Sequence, residues 1–280
     1  MSDTPTSRPE PQVTLVVPAF NEDPQVLARS LDSVAAQTFG DFECIVVDES
    51  TQAASAEACR ALCERDSRFR YVHPEQRLGL AASLNLGISM ARAPLIARFD
   101  SDDICQAERL ALQVDFLRQH PEVDVLGGAL EIMDEQEHTL AFRAYPATDA
   151  AIQRRFDTTS AVAHPTVMMR KSVLDRFGMY DPTFRFAEDL DLWLRLSNHG
   201  VRFANLSQVL VRYRQADTSR NRGHWDFNLR ARTRNFSWRG RPRRALGIAA
   251  IAIWARIPRA LQQRVFHGVL LQRQQGSESR

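Results

Sequence analysis

The stretch "LIARFDSDDICQAERL", residues 95–110, decides the fold. Its apolar start reads as a buried strand, and it ends in three carboxylates within four positions: Asp100, Asp102 and Asp103. Clustered negative charge is unfavourable unless a cation or solvent relieves it. In an open α/β sheet, ligands bind beyond the carboxyl ends of the strands, which is where such charge has a use.

Working outward, strand-like and helical runs alternate on both sides of this stretch. "VTLVVPAF" (13–20), "FECIVVDE" (42–49) and "FRYVH" (69–73) read as strands. Between and after them, "DPQVLARSLDSVAAQ" (23–37), "AEACRALCERD" (56–66) and "LAASLNLGISMAR" (80–92) repeat apolar residues at helical spacing. Pro24 falls in a first turn, where a missing N–H costs nothing. The alternation predicts a Rossmann-like, mostly parallel central sheet flanked by helices. Further on, 107–119 and 187–200 read as helices, 123–133 and 164–170 as strands, and 201–214 as a hairpin or edge.

A D-x-D at a strand end suits Mn2+ or Mg2+, which take oxygen ligands and combine one or two carboxylates with substrate phosphates. Asp102 and Asp100 are the expected ligands. A solvated turn explains an isolated D-x-D equally well, and Asp103 is placed to cap the helix that follows.

The surrounding motifs decide the matter. "VVPAFNE" (16–22), "VVDES" (46–50), "RLGLAASLNLGI" (77–88), "ARFDSDDI" (97–104), "HPTVMMRKSVL" (164–174) and "AEDLDLWLRL" (187–196) occur in that order. Together they resemble glycosyltransferase family 2, the inverting nucleotide-sugar transferases of GT-A fold, and look closest to bacterial members that build surface polysaccharide and O-antigen. The resemblance implies that Pro18, Ala19, Asn21, Glu22, Asp48, Arg77, Gly79, Asp100 and Ser101 hold the nucleotide sugar, with Asp48 at the base and Arg77 near the diphosphate. It implies Asp189 as the base that takes the acceptor's proton, Glu188 as its orienting partner or an acceptor contact, and a place at the site's acceptor edge for His164, which otherwise reads as structural. Trp193, further along that helix, reads as core more readily than as an acceptor-side sugar platform. Two departures stand out: Asp48-Glu49-Ser50 lacks the family's usual Gly, and Gln215 replaces a common His.

The resemblance also implies the partners: a UDP, GDP or dTDP sugar as donor, and a polyprenyl-linked or saccharide acceptor. Two competing readings are a sugar nucleotidyltransferase and a catalytically inactive, membrane-associated scaffold. The first normally carries a Gly-rich signature after its first strand, and "VVPAFNE" has no glycine. A dinucleotide oxidoreductase needs G-x-G-x-x-G there.

Charge is unevenly spread. Residues 220–280 hold 14 Arg against Asp226 and Glu278, a balance of +12 in a chain whose net charge is +2. The rest is therefore acidic. The expected partition is a disordered lead-in (1–12), a GT-A domain (13–219) with a nucleotide-sugar half (13–103) and an acceptor half (104–219), and a basic amphipathic helical tail (220–280). Arg230, Arg232, Arg234, Arg239, Arg241, Arg243 and Arg244 precede the apolar run 245–257, which is too short to span a bilayer. Such a pairing suits an anionic membrane surface, with packing on the domain or a homodimer seam as the alternatives. A cytoplasmic protein, peripheral on the inner membrane's cytoplasmic face and binding no nucleic acid, is the expectation. Cys44, Cys59, Cys63 and Cys105 follow no zinc or redox spacing and read as buried thiols.

Overall fold

The computed structural model of the chain describes residues 10–215, 222–236, 244–254 and 256–257. Its first half follows the predicted alternation: β1 (Val13–Ala19), α1 (Pro24–Ala35), β2 (Phe42–Asp48), α2 (Ala53–Cys63), β3 (Phe69–Val72), α3 (Leu80–Ser89) and β4 (Leu95–Arg98). Helix α1 starts where the sequence dictates. Asp23 caps it, its side chain accepting from the amides of Gln25 and Val26, and Pro24 occupies the first turn. Such a cap contributes about 1 kcal/mol.

The second half adds β5 (Ile104–Cys105), α4 (Arg109–Gln119), β6 (Val125–Met133), β7 (Thr139–Arg143), α5 (Asp149–Arg155), a 3-10 turn (His164–Thr166), β8 (Met168–Arg170), α6 (Lys171–Phe177), α7 (Glu188–Asn198) and β9 (Phe203–Arg214). Among the described residues the sheet has nine strands in the order β3-β2-β1-β4-β8-β6-β9-β5, with β7 paired to β6. Six strands run one way; β5, β7 and β8 run against them. One sheet therefore passes through both expected halves.

Side chains alternate between the faces of a strand, and β1 divides its residues accordingly. Val13, Leu15, Val17 and Ala19 enter a core with Leu27, Leu31 and Val34 of α1, Leu62 of α2 and Leu110 of α4. Val16 points into the other core, with Leu84 and Ile88 of α3, Ile152 of α5, Leu174 of α6 and Trp193 of α7. Helices thus cover both faces. All four cysteines are free and buried.

Register fixes the site. Ala19 at the end of β1 lies beside Asp48 at the end of β2. Val16 pairs with Arg98 of β4, so Asp100 follows the same sheet edge.

Two helices follow β9: α8 (Arg222–Arg234) and α9 (Arg244–Trp254). Both lie on the body. Ala231 is wholly buried in the second core, and Arg232 donates to the carbonyl of Phe156. Asn235 donates to Asp191. Arg244 is buried, reaching Ser197 and Asn198 at the end of α7. The packing alternative for the tail therefore holds for these two helices. Residues 220–221, 237–243 (with Arg239, Arg241 and Arg243), 255 and 258–280 of the expected tail, and 1–9 of the lead-in, lie outside the described residues.

Several expectations are corrected. Residues 203–214 form one twelve-residue strand rather than a hairpin, because β6 and β5 pair with it on either side. The His-Pro-Thr segment is a 3-10 turn, since Pro165 cannot donate to a ladder. Asp103 caps no helix: it is fully buried and accepts from the amide of Arg214, while α4 starts only at Arg109.

Candidate active site

The candidate site gathers three loops at the carboxyl ends of β1, β2 and β4 and the N-terminus of α7. After β1, Asn21 adopts a left-handed backbone (φ 52°), which Asn tolerates better than most residues. Its amide donates to Ser50 Oγ at 2.8 Å, and its Oδ1 accepts from the amides of Thr51 and Gln52 at 2.9 and 3.0 Å. Asn21 therefore stitches the β1 loop to the β2 loop. Pro18 and Glu22 are half-buried beside it and Ala19 is buried.

Asp48 is completely buried, accepting from the amide of Ser50 at 2.9 Å and from the Tyr71 hydroxyl at 3.0 Å. In this conformation Asp48 is sealed and shapes the 48–52 loop. Glu49, which sequence reading passed over, organises the next loop. Its Oε2 accepts from the amides of Leu78 and Gly79 at 2.7 and 2.9 Å, and its Oε1 from the Ser83 hydroxyl. Gly79, at φ 82°, is the turn from which α3 starts. A longer carboxylate two residues before Thr51 reaches what a shorter one could not. Arg77 is exposed and stacks on the Phe20 ring, its guanidinium 3.8 Å from the centroid.

The acidic cluster follows β4. Arg98, a charge inside a buried strand, forms an ion pair with Asp100 and has only 5% of its side chain exposed. Ser101 donates to Glu22 at 2.9 Å, joining this loop to the β1 loop. Burial, then the charges of Asp100 and Glu22, push the Asp102 carboxyl up to about 7. Burial, offset in part by the Ser101 hydroxyl, raises Glu22 too, with Asp100 and Asp48 adding to the shift. Asp103 is raised by burial and by both neighbouring aspartates. Arg214 ties the back of the loop, donating to the Asp102 carbonyl at 2.9 Å and to Glu137 at 2.8 Å.

Among the described residues, no group of three or more His, Cys, Asp or Glu is gathered as a metal cage. The cluster nevertheless fits a hard divalent cation completed by substrate phosphate. Its donors are carboxylate oxygens, and the repulsion that raises Asp102 is what such a cation removes. Asp100 is engaged by Arg98, so Asp102 is the more available ligand.

Across the site, Ala187 takes a left-handed backbone (φ 59°) and opens α7 with Glu188, Asp189 and Asp191 in its first turn. Glu188 is buried and its carboxyl raised, by burial first, then by Asp189 and by Asp100, while Arg98 opposes the rise. Asp189 is half-buried. His164 Nε2 lies 2.8 Å from the Tyr180 hydroxyl and its Nδ1 3.8 Å from Glu188. Burial, with Arg98 nearby, holds its pKa well below the ordinary range, so the imidazole is neutral. Tyr180 is in turn held by Asn85 of α3, which bonds both its amide and its carbonyl at 3.0 and 2.8 Å. His164 is thus a buried link between Tyr180 and Glu188, not an exposed group at the site's edge. Trp193 is fully buried against His164 and Phe203 and cannot meet an acceptor; it is core. Asp191, bonded to Asn235, is part of the α8 contact.

The fold is of GT-A type. A mannosyltransferase from Pyrobaculum calidifontis, solved with GDP-Man and Mn2+, superposes at a TM-score of 0.63 with 17% identity, covering 94% of this chain and 81% of that one. Staphylococcus aureus TarS superposes at 0.60 with 20% identity over 79% of this chain, which spans only 39% of TarS. The chain belongs to glycosyl transferase family 2, whose model matches residues 14–178. Among its relatives are the amylovoran biosynthesis glycosyltransferase AmsE of Erwinia amylovora, 29% identical over 76% of this chain and 80% of AmsE, and the O-antigen biosynthesis glycosyltransferase WbnJ of Escherichia coli, 29% identical over 71% and 78%.

Proposed function

We propose that this family 2 member is a metal-dependent, inverting glycosyltransferase that moves a sugar from a nucleoside-diphosphate donor to a saccharide hydroxyl, in the synthesis of bacterial surface polysaccharide or O-antigen. The observation that carries the reading is the buried Arg98. It pairs with Asp100 of the β4 loop and acts on Glu188 of α7, so the metal carboxylates and the base pair form one electrostatic site. The relatives named for amylovoran and O-antigen synthesis support the product class.

In this reading the stitched loops 18–22, 48–52 and 77–79 hold the nucleotide, with Arg77 beside the diphosphate and Ser101 and Glu22 joining the β4 and β1 loops. Asp102 and Asp100 hold Mn2+ or Mg2+, which supplies charge neutralisation for the departing diphosphate. Asp189, more exposed than Glu188, takes the proton of the acceptor hydroxyl as its oxygen attacks the anomeric carbon. The diphosphate leaves from the opposite face, which inverts that carbon. Glu188 orients Asp189 and is itself steadied by the neutral His164. A UDP, GDP or dTDP base, a polyprenyl-linked acceptor and a peripheral place at the cytoplasmic face of the inner membrane complete the proposal.

The test is donor turnover with each nucleotide sugar. Asp102→Ala should abolish transfer and weaken nucleotide binding in Mn2+. Asp189→Asn should keep donor affinity while turnover falls by roughly two orders of magnitude or more. Full activity in EDTA, or normal turnover by Asp189→Asn, contradicts the mechanism. A wild-type chain that binds donor but never turns it over favours the scaffold.

A further inference from the structure

Among the described residues, one face of helix α9 is packed and the opposite, apolar face is not. Its inner face is fixed to the body. Arg244 is buried and donates to Asn198 at 2.7 Å, Ser197 at 3.0 Å and the Asn235 carbonyl at 3.2 Å. Gly247 passes so close to Asp157 that a Cβ there would stand 2.0 Å from the Asp157 carbonyl oxygen. Ile251 is buried on the same side. With these three held, the helix cannot roll. Its outer face, Leu246, Ala249, Ala250 and Ile253, follows the i, i+3, i+4, i+7 spacing of one helical stripe. It faces solvent: Leu246 is 72% exposed and Ile253 66%. No polar residue interrupts it.

We infer that this outer stripe of α9 is a membrane-docking surface that lies in the interface of an anionic bilayer. Charge identifies the occupant. Between Asp226 and Glu278 the sequence has no acidic residue and is rich in arginine, and among the described residues exposed Arg256 comes two positions after the end of the helix. A short apolar face on a segment of such positive charge suits the boundary between anionic headgroups and acyl chains. Trp225 of α8 and Trp254 at the end of α9 stand edge to face at 6.4 Å, and Trp is a side chain enriched at that boundary. No described helix is long and apolar enough to cross a membrane, so α9 lies on the surface. Packing on the body and docking on a membrane are then both true, on opposite faces of one helix.

The inference deepens the peripheral placement proposed above, but its test is independent of catalysis. Full-length chain is sedimented with vesicles of phosphatidylcholine alone or mixed with phosphatidylglycerol, at low and high salt. Wild type should pellet with the anionic vesicles at low salt and be released at high salt. Leu246→Ser/Ile253→Ser should lower partitioning about tenfold, since it removes two large apolar side chains from the interface. Ala250→Glu, an exposed site where folding is not at risk, should do the same with an unchanged melting temperature. Equal partitioning of wild type and both variants overturns the inference. So does a wild type that stays in the supernatant, whether because it dimerises through the stripe or because residues 258–280 cover it. A chain that docks but transfers no sugar would overturn the enzyme and leave the docking surface standing.

Discussion

Asp102 and Glu188 come from different elements and share one condition: each is a carboxyl made harder to ionise, by burial and by a neighbouring aspartate. The sign of the consequence follows from linkage. A carboxyl whose pKa is higher in the folded chain than in the unfolded one costs nothing while both states hold the proton. The cost appears as pH rises past the ordinary value of 3.8 and is complete above about 7 for Asp102. Asp102→Asn should therefore leave the melting temperature unchanged near about pH 4 and raise it by a few degrees near about pH 8. The gain should vanish when wild type is measured with Mn2+ and a nucleoside diphosphate, because the cation relieves the same repulsion. An equal shift at both pH values would show that the carboxyl is not strained. At this scale the sequence was informative where charge met an apolar run, as at Asp100 and Asp102. It was silent on Arg98, because a lone arginine in "LIARFD" does not announce that its partner is two residues on, in the loop after the strand. Nor did it separate Asp48, sealed beneath Tyr71, from Glu49, which reaches the α3 turn: adjacent residues on a strand end point to opposite sides.

The elements of the first half were legible because each strand is a short apolar run bounded by turn residues and each helix repeats at its own period. Past residue 104 that local rule weakens. Strand β8 is three residues long and is inserted between β4 and β6, a long-range pairing that no local pattern encodes. Helix α7 is legible to within two residues of its bounds, and its Trp193, which reads as core more readily than as a sugar platform, is fully buried. Which face of helix α9 meets the body is resolved by geometry, and its inner contact can be tested directly. Gly247→Ala puts a methyl into the Asp157 carbonyl, with no flexible side chain to yield. Overpacking of this kind costs about 1–3 kcal/mol. The expected result is faster hydrogen exchange in residues 244–254 and lost protection around Asp157, with exchange in β1, β2 and β4 unchanged. Unchanged exchange in α9 would mean that the helix is not held there.

The whole molecule folds around one sheet with two cores, so a ligand bound at the strand ends should stabilise the entire unit. Melting in the presence of UDP, GDP and dTDP, each with and without Mn2+, should single out one base, with the largest rise requiring the metal. No rise with any of them would count against the proposed donor class. Composition alone pointed to the +12 balance of the last sixty-one residues, but it could not show where the body stops. The family match ends at 178 and the last strand at 214, and either looks like a place to cut. Ala231 and Arg232 make both unsuitable. A product trimmed after 214 would leave the Phe156 carbonyl and Asp191 without their partners and open the second core to water, and one trimmed at 178 would lose α7 and β9 as well. A chimera that borrows this catalytic unit must therefore carry residues 222–236 as cargo, and whatever those residues bring to the tail travels with every graft of the site.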